Sequence, residues 1–110
     1  MIRLTAKTRI LLAADPVDFR RQIDGLSALC QHHLTRDPRD GSLYVFINRA
    51  RTMIRILHHD GSGYWLATKR LSRGRYEGWP SVTARVSPIE ASRLMHIIKL
   101  SLEQPDTVGV

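Results

Sequence analysis

Three short apolar runs that follow one another closely constrain the fold of this chain more than any other feature. Leu43–Ile47 is rich in β-branched and aromatic residues, Met53–His58 alternates isoleucine with arginine, and Gly63–Lys69 carries adjacent aromatic residues; all three patterns are typical of strands. Only residues 48–52 and 59–62 connect them, and connections this short join antiparallel neighbours. The sequence therefore predicts an antiparallel β-meander at the centre of the chain.

The stretches around these runs predict two further short strands. Arg9–Ala13 has strand character, and Tyr76–Trp79 is consistent with an edge strand closed by Pro80 after a turn over Leu71–Arg75. Thr35–Ser42 contains aspartate, proline and glycine, a composition that predicts a loop.

A first helix is predicted on the amino-terminal side of the meander. Asp15-Pro16-Val17-Asp18 resembles a helix start, with aspartate as cap and proline in the first turn. The apolar residues that follow recur at helical spacing; they are Phe19, Ile23, Leu26, Cys30 and Leu34. Because Gly25 weakens the middle, the pattern fits either one helix or a short turn followed by a helix.

A second helix is predicted on the carboxy-terminal side. Ser87-Pro88-Ile89-Glu90 has the pattern of a capping box with proline in the first turn. The apolar stripe Ala91, Leu94, Met95, Ile98 and Leu102 continues it to Pro105. The expected fold class is thus α+β, an antiparallel β-meander sheet bracketed by an N-terminal and a C-terminal helix. A single domain over residues 1–104 is expected, with 105–110 as a loose tail.

Length and composition limit the class of protein. With 110 residues and 43% hydrophobic content, the chain suits one globular domain. Its one cysteine, Cys30, cannot form an intrachain disulfide, which favours a reducing compartment. The longest apolar run, Ile10–Ala14, is too short for a membrane span or a signal-peptide core. We therefore expect a soluble cytoplasmic protein.

The positive charge is concentrated in parts of the chain. The formal net charge is +7, and residues 63–85 hold five cations against one anion. Most of the cations are arginines, whose planar guanidinium suits phosphate and base edges, although a genomic preference for arginine codons explains the same ratio. A nucleic-acid partner is the favoured interpretation of the clustering, with an acidic protein partner as an alternative.

The candidate nucleic-acid-binding residues follow from this clustering. The densest group is Lys69, Arg70, Arg73 and Arg75; the preceding hairpin adds Arg49, Arg51 and Arg55, and the first predicted helix adds the weaker candidates Arg20 and Arg21. Aromatic rings beside cations can stack on exposed bases, and the candidates for that role are Trp65, Tyr76 and Trp79. A solvated basic turn is the alternative interpretation of the cations, and a core position is the favoured interpretation of each aromatic ring taken individually.

Catalytic and metal-binding patterns have little support. His32-His33 and His58-His59-Asp60 do not converge on one ion at helix or strand spacing. Asp15, Asp18 and Glu90 are explained as helix-start residues, and aspartates in turns are common. We therefore expect no enzyme activity, no cofactor and no metal site.

An ordered series of short blocks resembles a known family. The blocks are Asp18-Phe19-Arg20, Ile23-Asp24-Gly25-Leu26, Val45-Phe46-Ile47-Asn48-Arg49, Arg55-Ile56-Leu57, Asp60-Gly61-Ser62-Gly63, Lys69–Arg75 and Trp79-Pro80. Together, over about Arg9 to Leu102, they resemble the TnpB accessory proteins of the IS66 insertion sequences, which are distinct from the RNA-guided nuclease of the same name. The polar positions that match the family are Arg20, Asp24, Asn48, Arg49, Lys69, Arg70 and Trp79. Ala50 and His58-His59 depart from the family pattern.

The resemblance implies a bacterial mobile-element protein that is needed for transposition beside a larger DDE-type transposase, which carries out the strand chemistry. The implied partners are the DNA ends of the element and that transposase, and a homo-oligomer is left open. Direct DNA binding through the candidate cations is the favoured function. The alternatives are a protein–protein adaptor that recruits or regulates the transposase and, with less support, a metal-dependent nuclease.

Overall fold

The structure, a computed structural model, describes residues 7–79 and 85–98. Within these ranges the chain forms five strands and two helices. In chain order they are β1 (Ile10–Ala13), α1 (Ile23–His32), β2 (Leu43–Ile47), β3 (Met53–His59), β4 (Tyr64–Arg70), β5 (Val86–Ile89) and α2 (Ala91–Ile97). The protein is therefore a mixed α+β fold, as the sequence predicts.

The strands form one sheet in the order β4-β3-β2-β1-β5. The meander β2-β3-β4 is antiparallel, as predicted, but β1 pairs with β2 in parallel and with β5 antiparallel. A purely antiparallel sheet was therefore the wrong expectation. Parallel neighbours need a crossover of a dozen or more residues, and residues 14–42, which include α1, supply it.

The second helix begins later than its sequence pattern predicts. Ser87-Pro88-Ile89 belongs to β5, where it pairs with the buried strand β1, and α2 begins only at Ala91. Glu90 precedes the helix without a side-chain cap, so the predicted capping box is wrong. Pairing with an apolar strand has overridden a local helix signal. The expected bracketing of the sheet by an N-terminal and a C-terminal helix is not confirmed either.

The first helix also begins later than Asp15-Pro16. Residues 14–22 are irregular, with a turn at 19–20, and α1 starts at Ile23, so the alternative of a turn followed by a helix is the one found. The Val17 amide donates to the Ile47 carbonyl at 2.9 Å, which holds this segment against the end of β2. The predicted loop over Thr35–Ser42 has no helix or strand.

The neighbouring strands β1 and β2 are buried on both faces. On one face Ile10, Leu12 and Val45 pack in a cluster with Leu94 and Ile97 of α2. On the other face Leu11, Ala13, Tyr44 and Phe46 pack with Leu26 and Cys30 of α1. Coverage on both faces explains why β1 and β2 are continuous apolar runs without alternation.

Tyr76–Trp79 is not a strand, contrary to the sequence prediction. Both aromatic side chains lie in the cluster that contains α2. The Tyr76 hydroxyl donates to the Lys69 carbonyl at 3.2 Å, and the Trp79 indole donates to the Ala13 carbonyl at 3.0 Å. The segment therefore covers the sheet with side chains instead of extending it.

Some sequence predictions fall on positions for which no structure is given. Pro80, Leu102 and Pro105 lie outside the described residues, as does the expected tail at 105–110. Across residues 7–79 and 85–98, no helix has the length and apolar character needed to span a membrane.

The buried Cys30 thiol provides a test of the core. Its side chain has no exposed surface, and burial raises its pKa to about 12. Since the thiolate is the reactive form, we expect no labelling of the folded protein by a chromogenic disulfide reagent at mildly alkaline pH. The same reagent should label one thiol per chain in urea. Stoichiometric labelling without denaturant would contradict the packing of α1 on the sheet.

Candidate nucleic-acid interface

The strand registers bring the predicted cations to one end of the sheet. Parallel pairing makes β1 and β2 finish at the same end of the sheet. Ile47 lies opposite Ile54, so β3 starts at that end. Met53 opposite Arg70 shows that β4 ends there, and Ala13 opposite Val86 shows that β5 begins there. We call this end of the sheet, with the attached segments 14–22, 48–52 and 71–76, the basic end.

Asn48 organises the turn between β2 and β3. Its side-chain oxygen accepts from the backbone amides of Thr52 and Met53 at 2.9 and 3.1 Å, and its amide nitrogen donates to the Thr52 hydroxyl. Arg51 adopts a left-handed backbone conformation with φ of 61°, which is uncommon outside glycine, asparagine and aspartate. The turn exposes Arg49 to solvent and leaves Arg51 half-buried.

The densest basic segment is attached to this turn. The Leu71 amide donates to the Thr52 carbonyl at 2.9 Å, and the Tyr76 amide donates to the Arg51 carbonyl at 2.7 Å. Between these anchors Arg73 and Arg75 are exposed, and so is Arg70 at the end of β4. Backbone hydrogen bonds thus bring the hairpin cations and the 70–75 cations side by side.

The segment before α1 adds a third group of cations to the basic end. Arg20 is an exposed residue whose guanidinium donates twice to the Asp18 carboxylate, at 2.9 and 2.7 Å. These bonds, with the Arg20 amide, lower the pKa of Asp18 to about 2. Arg21 is also exposed. The charge of Arg20 is therefore partly balanced within the segment, by its pairing with Asp18.

Arg55 and Lys69 differ from Arg20 because their donors bind backbone carbonyls of other segments of the chain. Arg55 donates to the carbonyls of Phe19 and Arg21, both at 2.7 Å, and its guanidinium lies 4.7 Å from the centre of the Phe19 ring. The Lys69 ammonium donates to the Ile98 carbonyl at 3.0 Å. Arg55 therefore joins the 19–21 segment to β3, and Lys69 joins β4 to the end of α2.

The three candidate stacking residues are not brought together. Tyr76 is 1% exposed and Trp79 is 7% exposed, so their rings belong to the core. Trp65 is 42% exposed, but its register opposite His58 puts it toward the other end of β4. Its indole donates to the Asp60 carboxylate at 2.8 Å. The basic end therefore has arginines without an exposed aromatic platform from this set.

Arg85 is a basic residue at this end that the sequence-based site does not include. It is exposed, immediately precedes β5, and donates to the His33 carbonyl at 3.1 Å. With Arg21 and His33 it lines a groove of about 510 Å³ beside α1. Arg20, Arg49 and Arg55 line a second groove, of about 540 Å³. Arg85 stands alone in the sequence, so only its strand pairing reveals its location.

Carboxylates gather at the opposite end of the sheet. Asp40 and Asp37 lie beside the start of β2, where the Tyr44 hydroxyl donates to the Asp40 carboxylate at 2.8 Å. Asp60 lies in the turn between β3 and β4, where hydrogen bonds from Ser62 and Trp65 lower its pKa. Glu90 follows the end of β5. Cations lie at this end too, since Arg9 directly precedes β1 and the Arg36 guanidinium lies 3.6 Å from the Asp40 carboxylate. The two signs of charge are therefore mixed here, whereas cations predominate at the basic end, which also carries Asp15 and Asp18.

The two histidine pairs make separate contacts in the fold. His59 packs edge-on against the Tyr64 ring, with 4.8 Å between ring centres, and His33 lies 3.7 Å from the Asp15 carboxylate. In the part of the chain that the structure describes, no three His, Cys, Asp or Glu side chains lie together so that they could hold a metal ion.

The contacts of Arg55 predict a structural effect that Arg49 lacks. We expect Arg55→Met to lower the free energy of unfolding by about 1 to 3 kcal/mol, because hydrogen bonds from a charged donor to two backbone carbonyls are lost. The exposed Arg49→Met is the matched control and should change it by no more than about 0.5 kcal/mol. Urea denaturation of both variants measures the difference. Equal stability of the two would contradict the assigned role of Arg55.

Comparisons with known proteins give one family match and two uncharacterized relatives. The family described as IS66 Orf2 like protein matches residues 8–104. The uncharacterized protein y4hO of Sinorhizobium fredii is 33% identical over 90 residues, which are 82% of this chain and 77% of that protein. The uncharacterized protein y4jC of the same organism is 41% identical over 76 residues, 69% of this chain and 65% of that protein. No solved structure matches the chain significantly.

Proposed function

This chain belongs to the IS66 Orf2-like family of insertion-sequence accessory proteins, and we propose that it assists transposition by binding element DNA through its basic end. In this proposal the exposed arginines neutralise phosphates, and one or two of them contact base edges. The strand chemistry belongs to a separate DDE-type transposase encoded by the same element.

The observation that carries the proposal is the convergence of exposed arginines from separate chain segments. They come from the segment before α1, the β2–β3 turn, the loop after β4 and the start of β5; the members are Arg20, Arg21, Arg49, Arg70, Arg73, Arg75 and Arg85. A surface on which positive charge predominates attracts the phosphate backbone and orients the protein as it approaches.

The contacts within the protein divide the candidate cations by role. Arg70, Arg73 and Arg75 are exposed and adjacent, so their guanidinium groups suit phosphates best. Arg20 keeps an exposed guanidinium but shares it with Asp18. Arg55 and Lys69 donate to backbone carbonyls, so in this proposal they shape the surface and contribute long-range charge.

Replacing three arginines of the basic end tests the proposal. We expect Arg70→Gln, Arg73→Gln and Arg75→Gln together to weaken binding to terminal-repeat DNA at every salt concentration. Each lost phosphate contact should reduce the slope of log affinity against log salt by about 0.9, so the loss is about 2 to 3 for the triple variant. Fluorescence anisotropy over a salt series measures the slope.

A variant with the same change in net charge is the control. Arg9, Arg39 and Arg93 are exposed and lie outside the basic end, so the triple change of these residues to glutamine should largely preserve the salt slope. Equal losses in the two triple variants would indicate non-specific charge attraction. The absence of any salt-dependent binding by the wild-type protein, together with copurification of the transposase in high salt without DNA, would favour the adaptor function instead.

A further inference from the structure

β4 is an edge strand with an open outer side. It runs for seven residues, Tyr64–Arg70, and among the described residues no strand pairs with it beyond β3. The stretch Tyr64–Thr68 contains no charged residue and no proline. Long uncharged edges are ready templates for another strand, and proteins usually block them with charges, proline or bulges. This edge therefore invites pairing along most of its length.

The opposite edge of the sheet has the usual protection. β5 has only four residues and includes Pro88, which cannot donate a backbone hydrogen bond. The two edges of one sheet thus differ in length and in their capacity to accept a further strand. The difference singles out β4.

The direction of the backbone groups on β4 follows from hydrogen bonds just beyond each of its ends. The Gly63 carbonyl accepts from the Asp60 amide at 3.0 Å, and the Leu71 amide donates to the Thr52 carbonyl at 2.9 Å. Both residues therefore direct these groups toward β3. Because the direction alternates along an antiparallel strand, the residues whose amides and carbonyls point outward are Tyr64, Leu66, Thr68 and Arg70.

We propose that two copies of this chain pair antiparallel through β4 about a two-fold axis at Ala67. Tyr64 then lies opposite Arg70 of the second copy, and Leu66 lies opposite Thr68. These are the residues with outward backbone groups, so every one of them enters a hydrogen-bonded pair. If one β4 strand shifted by one residue along the other, residues with outward backbone groups would lie opposite residues whose groups point toward β3. A shift of two residues would keep the hydrogen bonds but leave fewer residue pairs between the two strands.

The side chains fit the same register. Tyr64 faces a guanidinium, which is an attractive aromatic–cation combination, and the exposed Trp65 faces the alkyl stem of Lys69, an apolar surface on which its ring can pack. Ala67 faces Ala67 of the second copy, and these two small side chains leave room for the strands to approach closely. No two cations are directly opposite each other, whereas a slip of four residues would oppose Lys69 to itself.

The dimer would have one continuous sheet, with α1 of both copies on the same face. Because the strands run in opposite directions, the two basic ends would point away from each other and both would stay accessible. This arrangement suits one dimer to two separate stretches of DNA. That consequence rests on the proposed function, whereas the pairing itself does not.

A cysteine at the axis tests the register. In antiparallel pairs without hydrogen bonds the Cα atoms are about 4.5 Å apart, which is within the range of disulfides. We expect Ala67→Cys to form a disulfide-linked species of twice the 12.6 kDa chain mass under mild oxidation. The matched control Thr68→Cys, opposite Leu66 in this register, should remain at the chain mass. The native Cys30 is buried and should not interfere.

Charges at the same position test the interface without a covalent bond. Ala67 is exposed, so both Ala67→Lys and Ala67→Glu should fold, as circular dichroism can verify. Each variant alone should sediment as a monomer because like charges meet at the axis, and an equimolar mixture should regain the dimer mass. Sedimentation of protein freed of nucleic acid, at low ionic strength where the charges at the axis are least screened and with the wild type as the dimeric reference, separates this test from that of DNA binding.

Other outcomes would overturn the dimer. A wild-type protein that sediments as a monomer at all accessible concentrations would do so, and so would a disulfide dimer of Thr68→Cys without one of Ala67→Cys. If the wild type is a monomer and Ala67→Lys abolishes its binding to purified transposase, the edge belongs to a strand of the transposase instead.

Discussion

Parallel pairing between β1 and β2 is the constraint on which the arrangement of the charged surface depends. Both strands are fully buried, and their parallel pairing makes them finish at the same end of the sheet. The segment after β1 is consequently held beside the turn after β2 by the hydrogen bond between Val17 and Ile47. An antiparallel pairing would have placed Arg20 and Arg21 at the end where the carboxylates gather. The concentration of arginines at one end of the sheet is therefore a product of strand direction.

Arginines with the same intrinsic chemistry have different roles here because the protein satisfies their donors to different extents. Arg55 binds two carbonyls of a neighbouring segment and lies over Phe19, so its loss would leave polar groups without partners. Arg70 and Arg73 extend into solvent, where a guanidinium keeps its donors for a ligand. The exposed Arg49 depends on another polar side chain, because Asn48 accepts two backbone hydrogen bonds that hold the turn that carries Arg49. The surface proposed to bind DNA is thus held in place by Asn48 and Arg55, whose side chains hydrogen-bond to backbone groups of the protein.

Sequence reasoning predicted the meander well because its determinants are local. β2 has the predicted bounds, β3 extends one residue further than predicted, and β4 is shifted by one residue at both ends. Alternation and short connections are properties of neighbouring residues, so they can be interpreted without the rest of the chain. β5 was missed because Ser87-Pro88-Ile89-Glu90 satisfies a helix-start pattern, and only pairing with β1 distinguishes the two outcomes. Core positions were the favoured interpretation of Tyr76 and Trp79, and both are buried, but the distant residues that bury them could not be derived from a local pattern.

By itself, the sequence determined the positive charge, the central meander, the resemblance to a family of insertion-sequence proteins and the identity of the basic segments. These properties reside in composition and in short-range periodicity. The tertiary structure alone decided that these segments meet at one end of the sheet, that Arg85 joins them, and that Arg55 and Lys69 are engaged within the protein. It also decided that β4 lies at an edge. The physical reason is that strand order and direction come from hydrogen bonds and apolar packing between residues far apart in the chain, which no local pattern encodes.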